Sequence, residues 1–210
     1  GPIPLQRWNI NLLLHVYNRW LASLFVKPAF TEIVTESFAF CSENKGLKIH
    51  GYVIMPNHIH AILSDEASDN QRLHKSITEF RSFTGHKLAG LVDNTCPTSW
   101  SNLMRTSAET DRERRVWQSG WHAEAVVNQE FFEQKLFYMH NNPVRAGFVE
   151  LPEHWIHSSA RFWIYGEKGQ VPISLDYARI QPVHNPPRLC RSPNRAHEIA
   201  VGFIFLAAFL

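Results

Sequence analysis

Cysteine is scarce in this chain. Cys41, Cys96 and Cys190 are the three present in 210 residues; they are far apart, odd in number and in no CxxC pattern. A disulfide framework and a cysteine zinc site are therefore excluded, and a reducing cytoplasm is the simplest setting. Charge is sparse too: 19% of residues are charged and the net charge is +2, so the whole-chain balance does not announce a polyanionic partner. No apolar run approaches the roughly twenty residues that a membrane helix needs. The terminal IAVGFIFLAAFL at 199–210 is too short to span and is expected to pack on the domain or on a partner subunit, which leaves a homodimer open. The opening GPIPLQRW lacks the charged segment and apolar core of a secretory signal. Internal repeats, low-complexity tracts and coiled-coil heptads are absent as well.

What is present is an ordinary globular composition, 44% hydrophobic, with twelve histidines. The length suits one domain. NINLLLHVYN at 9–18 reads as a strand, with Leu12, Leu14 and Val16 on one face at period two. Residues 30–45 suit a helix with Thr31 as its N-cap and Gly46 past its end. Two short strand-forming segments, 47–55 and 58–63, flank the turn signal Pro56-Asn57 and read as a hairpin. In 71–91, Leu73, Ile77, Phe80, Thr84 and Leu88 recur at helical spacing. Residues 92–115 hold no periodicity and are expected to form an irregular insertion. WQSGWHAEAVV at 117–127 returns to strand character, and Asn128 is placed to cap a helix from Gln129. Strands and helices mix without regular alternation, so the expected class is α+β, an antiparallel sheet with helices mainly on one face. The domain spans 1–165, and the proline-rich 166–210 is expected to be an extended tail.

MPNHIHAIL at 55–63 places two imidazoles in an otherwise apolar strand. Positions i and i+2 of a strand share a face, so His58 and His60 project together while Ile59 turns the other way. Imidazole suits manganese, zinc, iron and similar ions, though two nitrogens rarely complete a site. Partly exposed histidines bonded to neighbours are the bland reading of the same pattern. In FFEQKLFYMHNNPVRAGFV at 131–149, Gln134, Tyr138 and Asn142 are spaced by four and share a helical stripe, which Lys135 borders. Tyr138 carries a hydroxyl that needs a base, a metal or a cation to act as a nucleophile. Asn142 offers a neutral carbonyl oxygen to a metal, but Asn-Pro with Gly147 beyond also describes one further helical turn with Asn142 as its cap.

GYVIMPNHIHAIL at 51–63, WQSGWHAEAVV at 117–127, YMHNNPVRAGFV at 138–149 and the following HWIHSSARFW, with HVYNR near residue 17, resemble the HUH-type single-tyrosine transposases, and among them the REP-associated tyrosine transposases. The similarity covers roughly residues 8–165; each motif is weak alone, and order and spacing together carry the resemblance. It implies a ferredoxin-like fold, His58 and His60 as ligands of Mg²⁺ or Mn²⁺, and Tyr138 as a nucleophile that forms a 5′-phosphotyrosine. Asn142 falls where related insertion-sequence enzymes carry a glutamine ligand. The implied partner is DNA, a hairpin with a flanking single strand, and the implied activity is single-strand cleavage and strand transfer. Contacts to DNA are expected to be mostly electrostatic, with Lys75, Arg81 and Lys87 on the 71–91 helix and Lys135 and Arg145 near Tyr138 as candidates. Rival readings are a DNA-binding protein that has lost catalysis, and another HUH nuclease such as a replication initiator or relaxase.

Overall fold

A computed structural model describes residues 11–17, 24–106, 116–117, 122–126 and 128–175, with 11–17, 106 and 122–123 described by backbone alone. The elements run β1 (Asn11–Tyr17), α1 (Pro28–Asn44), β2 (Leu47–Met55), β3 (His58–Asp65), α2 (Asn70–Thr95), α3 (Thr98–Thr106), β4 (His122–Val126), α4 (Gln129–His140), α5 (Asn142–Arg145) and α6 (Ala160–Tyr165). The four strands form one antiparallel sheet in the order β2-β3-β1-β4. With α1 between β1 and β2 and α2 between β3 and β4, this is the ferredoxin-like βαββαβ topology. The α+β reading of the sequence holds.

Two hydrophobic clusters lie on the two faces of the sheet. Ile49, Tyr52 and Ile54 of β2 alternate onto one face with Ile59, Ala61 and Leu63 of β3. They pack there against Phe30, Val34 and Phe38 of α1 and Leu73, Ile77, Phe80 and Leu88 of α2. The expected helical stripe of 71–91 is thus the core face of α2. Register sets Leu12, Leu14 and Val16 opposite Leu63, Ala61 and Ile59, on this same face. The other face gathers Val53, Met55 and Ile62 with Phe132, Leu136 and Met139 of α4 and Trp163 of α6. The two longest helices do share one face, and a thinner second layer, α4 and α6, covers part of the opposite one.

Three local expectations are corrected. Thr31 is not the cap of α1: the chain enters from Lys27, Pro28 occupies the first helical position, where a missing N–H costs nothing, and Thr31 Oγ1 donates to the Pro28 carbonyl at 2.8 Å. Residues 92–106 are not irregular. Val92 is buried as α2 continues to Thr95, and Pro97 then leads into α3, which buries Ser101 and Met104 three residues apart. Trp100 and Met104 meet the core one turn apart while Leu103 is exposed, which is too short a stripe to read; residues 107–115 lie outside the described set. Trp117, expected to open a strand, is a core residue, stacked on Phe25 and donating from Nε1 to Thr84 Oγ1 at 3.0 Å. Of the tail, Gln170 Oε1 accepts from Thr35 Oγ1 of α1 at 3.0 Å, Val171 is buried in the α1–α2 core, and Ser174 reaches β2, where its N bonds the Ile49 carbonyl and its carbonyl accepts from His50 Nδ1 at 2.9 Å. The rest, 176–210, lies outside the described residues. No helix among the described residues is long and apolar enough to cross a membrane.

Candidate functional site

The hairpin expected at Pro56-Asn57 forms, and β3 begins at His58. Register places His58 opposite Met55 and His60 opposite Val53, on the face that meets α4, while Ile59 is fully buried on the α1–α2 face. The rings of His58 and His60 lie edge to face with centroids 4.6 Å apart, so the pair converges as strand alternation requires. His60 is only 5% exposed. His58 Nδ1 lies 2.6 Å from Asn57 Oδ1. An amide oxygen only accepts, so Nδ1 donates, and in the neutral imidazole that leaves the lone pair on Nε2. That is the outer hydrogen bond by which proteins fix a metal-binding imidazole. The donor chemistry therefore fits a divalent ion at His58 and His60.

α4 is built to cross this face. Asn128 Oδ1 accepts from Phe131 N at 2.8 Å and caps its start. Leu136 and Met139 reach over Gly51 of β2: a Cβ on that glycine would lie 2.5 Å from Leu136 Cδ1 and 2.9 Å from Met139 Cε. On the other side, Lys135 Nζ bonds Glu124 Oε2 of β4 at 2.6 Å. A helix touching β2 and β4, the two outer strands, lies over β3 and β1 between them. Tyr138 follows Lys135 by three residues and shares its side of the helix. It is 39% exposed. His140, two residues on, is fully buried, and Nε2 meets Ser159 Oγ at 2.8 Å; Ser159 Oγ in turn accepts from Tyr52 N at 2.9 Å. Burial pushes the His140 imidazole down to about 3, so it is neutral and ties the end of α4 to β2.

α5 adds the further helical turn expected after Tyr138, and Gly147 follows with φ +73°. The capping role expected of Asn142 is not the one observed: Asn141 precedes the turn without a side-chain cap bond, and Asn142 is its first residue. Asn142 Nδ2 is buried with no hydrogen-bond partner. A buried N–H without a partner suits an anionic oxygen, and the Oδ1 of the same amide is still an acceptor that a cation can use. Arg145 lies over the Tyr138 ring, its guanidinium carbon 4.7 Å from the centroid.

The expected DNA contacts divide between the two faces. Lys135 and Arg145 stand beside Tyr138. Lys75, Arg81 and Lys87 sit on α2, behind the sheet. They are six residues apart, so they point about 120° from one another around the helix and form no single stripe. Lys75 is within 4.0 Å of Glu79, and Lys87 lies over the Phe83 ring. A concavity of about 880 Å³ between α1 and α2, lined by Phe40, Cys41, Phe80 and Phe83, opens on that far side as well. Among residues with described side chains, no group of three His, Cys, Asp or Glu could hold a metal. Sequence reading missed one alignment: register sets His15 of β1 opposite His60 and His122 of β4 opposite His15. Three strands thus carry a histidine in one row, which only the pairing register reveals.

The fold and site define an α+β protein with a ferredoxin-like sheet, carrying a two-histidine strand motif and a tyrosine-bearing helix on the same face. Comparison gives the particular likeness. The chain is similar to the solved structure of a REP-associated tyrosine transposase bound to a REP hairpin, with TM-score 0.51 and 15% identity over 79% of this chain and 86% of that one. The likeness is one of fold. No protein-family model matches the chain, and no curated protein matches it.

Proposed function

We propose that this chain is a metal-dependent single-strand DNA endonuclease and strand transferase of the transposase type, acting at hairpin-associated sites. The observation that carries the reading is the shared face: His58 and His60 of β3 and the helix that bears Tyr138 stand on the same side of the sheet. The fold likeness to a transposase bound to a hairpin supports it. His58 and His60 would hold the ion, with the Asn142 amide oxygen as the candidate third ligand; a bound Mg²⁺ or Mn²⁺ polarises the scissile phosphate and neutralises charge on it. Two imidazoles favour Mn²⁺ over the harder Mg²⁺, which prefers oxygen.

Tyr138 attacks phosphorus in line. The phenol oxygen–phosphorus bond forms, the bond to the 3′ oxygen breaks, and the phenolic proton passes in the balance to the departing 3′ hydroxyl. The strand's 5′ end is then held as a phosphotyrosine, and a second strand's 3′ hydroxyl reverses the step and joins the ends without ATP. Arg145 over the Tyr138 ring favours the negative charge that the phenol oxygen gathers on activation. The buried Asn142 Nδ2, which has no hydrogen-bond partner, supports a role as a donor to a phosphate oxygen. The test uses an end-labelled hairpin with a single-stranded flank and Mn²⁺. The expected product is a strand with a free 3′ hydroxyl, its other fragment covalently attached to Tyr138. Cleavage at the wild-type rate by Tyr138→Phe sinks the nucleophile assignment.

A further inference from the structure

The chemistry above leaves unused an aromatic ledge that adjoins α5, the turn whose Arg145 lies over the Tyr138 ring. Phe148 is 51% exposed, and its ring stacks on Trp155 with centroids 5.6 Å apart and planes 26° from parallel. Trp155 in turn meets His157 edge-on at 5.9 Å. The ledge is pinned on both sides. Phe148 N bonds the Pro143 carbonyl and Gly147 N bonds the Val144 carbonyl, which fixes it to α5, the turn that carries Asn142 and Arg145. Trp155 Nε1 donates to the Ile54 carbonyl at 3.0 Å, and Ile54 N donates to the His157 carbonyl at 2.9 Å. The other anchor is therefore the edge of β2, just before the turn that leads into His58. A ring whose backbone is fixed and whose one face already stacks on Trp155 loses little conformational freedom when something flat lies on the other. Arg145 adds a cation at the same end of the molecule. A flat apolar face beside a cation suits a flat group that carries a negative charge on a short arm, which describes a nucleobase and its phosphate.

We propose that Phe148, backed by Trp155, is the stacking platform for an unpaired base next to the scissile phosphate. The inference rests on the nuclease reading and says where the single strand lies. One base on the ledge, with its phosphate toward Arg145, sets the neighbouring phosphodiester at Tyr138. Stacking of this kind tolerates any base, since every base has a π face.

The test is a fluorescence titration with a hairpin whose single-stranded flank carries 2-aminopurine at successive positions. Wild-type protein is expected to quench the probe at one or two positions. Phe148→Ala and Phe148→Glu are expected to lose that quench and to bind the flanked hairpin about tenfold or more weakly, within the range of a lost base–aromatic stack. Phe148→Tyr should keep both properties, and affinity for the hairpin without its flank should be equal in all four proteins. Wild-type binding and quenching by both the Ala and the Glu variants overturn the platform. Wild-type protein that binds neither hairpin nor flank overturns the nuclease reading itself, and the platform with it.

Discussion

Asn57 is the residue whose role is most sharply defined by a single bond. Its Oδ1 holds His58 Nδ1 at 2.6 Å and so decides which imidazole nitrogen carries the lone pair. Outer-shell partners of this kind are worth about 10- to 100-fold in metal affinity. Asn57→Ala should therefore weaken Mn²⁺ binding by that factor in calorimetry while the thermal transition stays close to wild type. Unchanged affinity would remove Asn57 from the site. The placement of the two histidines was legible in the sequence. Period-two alternation alone gives the common face of His58 and His60. The role of Asn57 was hidden, because Pro56-Asn57 reads as a turn and a turn residue attracts no chemical interpretation. Asn142 was half legible: its spacing from Tyr138 is visible, but its orphaned Nδ2 depends on how α5 packs.

At the scale of elements, the site depends on how closely α4 approaches the sheet. Gly51 permits that approach, since Leu136 and Met139 occupy the space a Cβ would take. Gly51→Ala should destabilise the fold by about 1–3 kcal/mol, the usual cost of overpacking, and should slow cleavage by moving Tyr138. A variant of unchanged stability and activity would show that α4 does not rest on this contact. The second tie is His140. Its imidazole titrates at about 3 when folded because burial disfavours the charged form, against about 6.5 when unfolded. The folded state thus binds fewer protons across that window. Its contribution is complete above pH 6.5 and is lost as pH falls toward 3, with a slope of up to about 1.4 kcal/mol per pH unit. Denaturant titrations from pH 7 to 5.5 should show stability falling with pH in the wild type and a flatter profile in His140→Gln. Equal slopes would contradict the assignment. Neither tie could be read from the sequence: a lone glycine in a strand and a histidine near a helix end have many ordinary explanations. The positions of α4 and β3 were legible; their distance was not.

Over the whole molecule, the sheet separates two chemical faces. The hydrophobic periods of α1, α2 and the hairpin were enough to read the α+β class. They could not say that Lys75, Arg81 and Lys87 would lie behind the sheet, because helical spacing gives a residue's side of its own helix and not the face that helix covers. If DNA lies on the His58–Tyr138 face, removing Lys135 or Arg145 should weaken binding across sequences and lower the salt slope by about one each. Lys75→Ala and Lys87→Ala should leave both unchanged. The reverse pattern would place DNA on the α1–α2 side. The central claim is that an ion at His58 and His60 and the hydroxyl of Tyr138 share one face. It is tested most directly by ¹⁹F NMR of the full chain with 3-fluorotyrosine in place of tyrosine, the Tyr138 signal being assigned from Tyr138→Phe. Adding Mn²⁺ should broaden the Tyr138 resonance strongly, and the double substitution His58→Ala with His60→Ala should restore it. A Tyr138 signal that stays sharp in the presence of Mn²⁺ bound at the histidines would contradict the account.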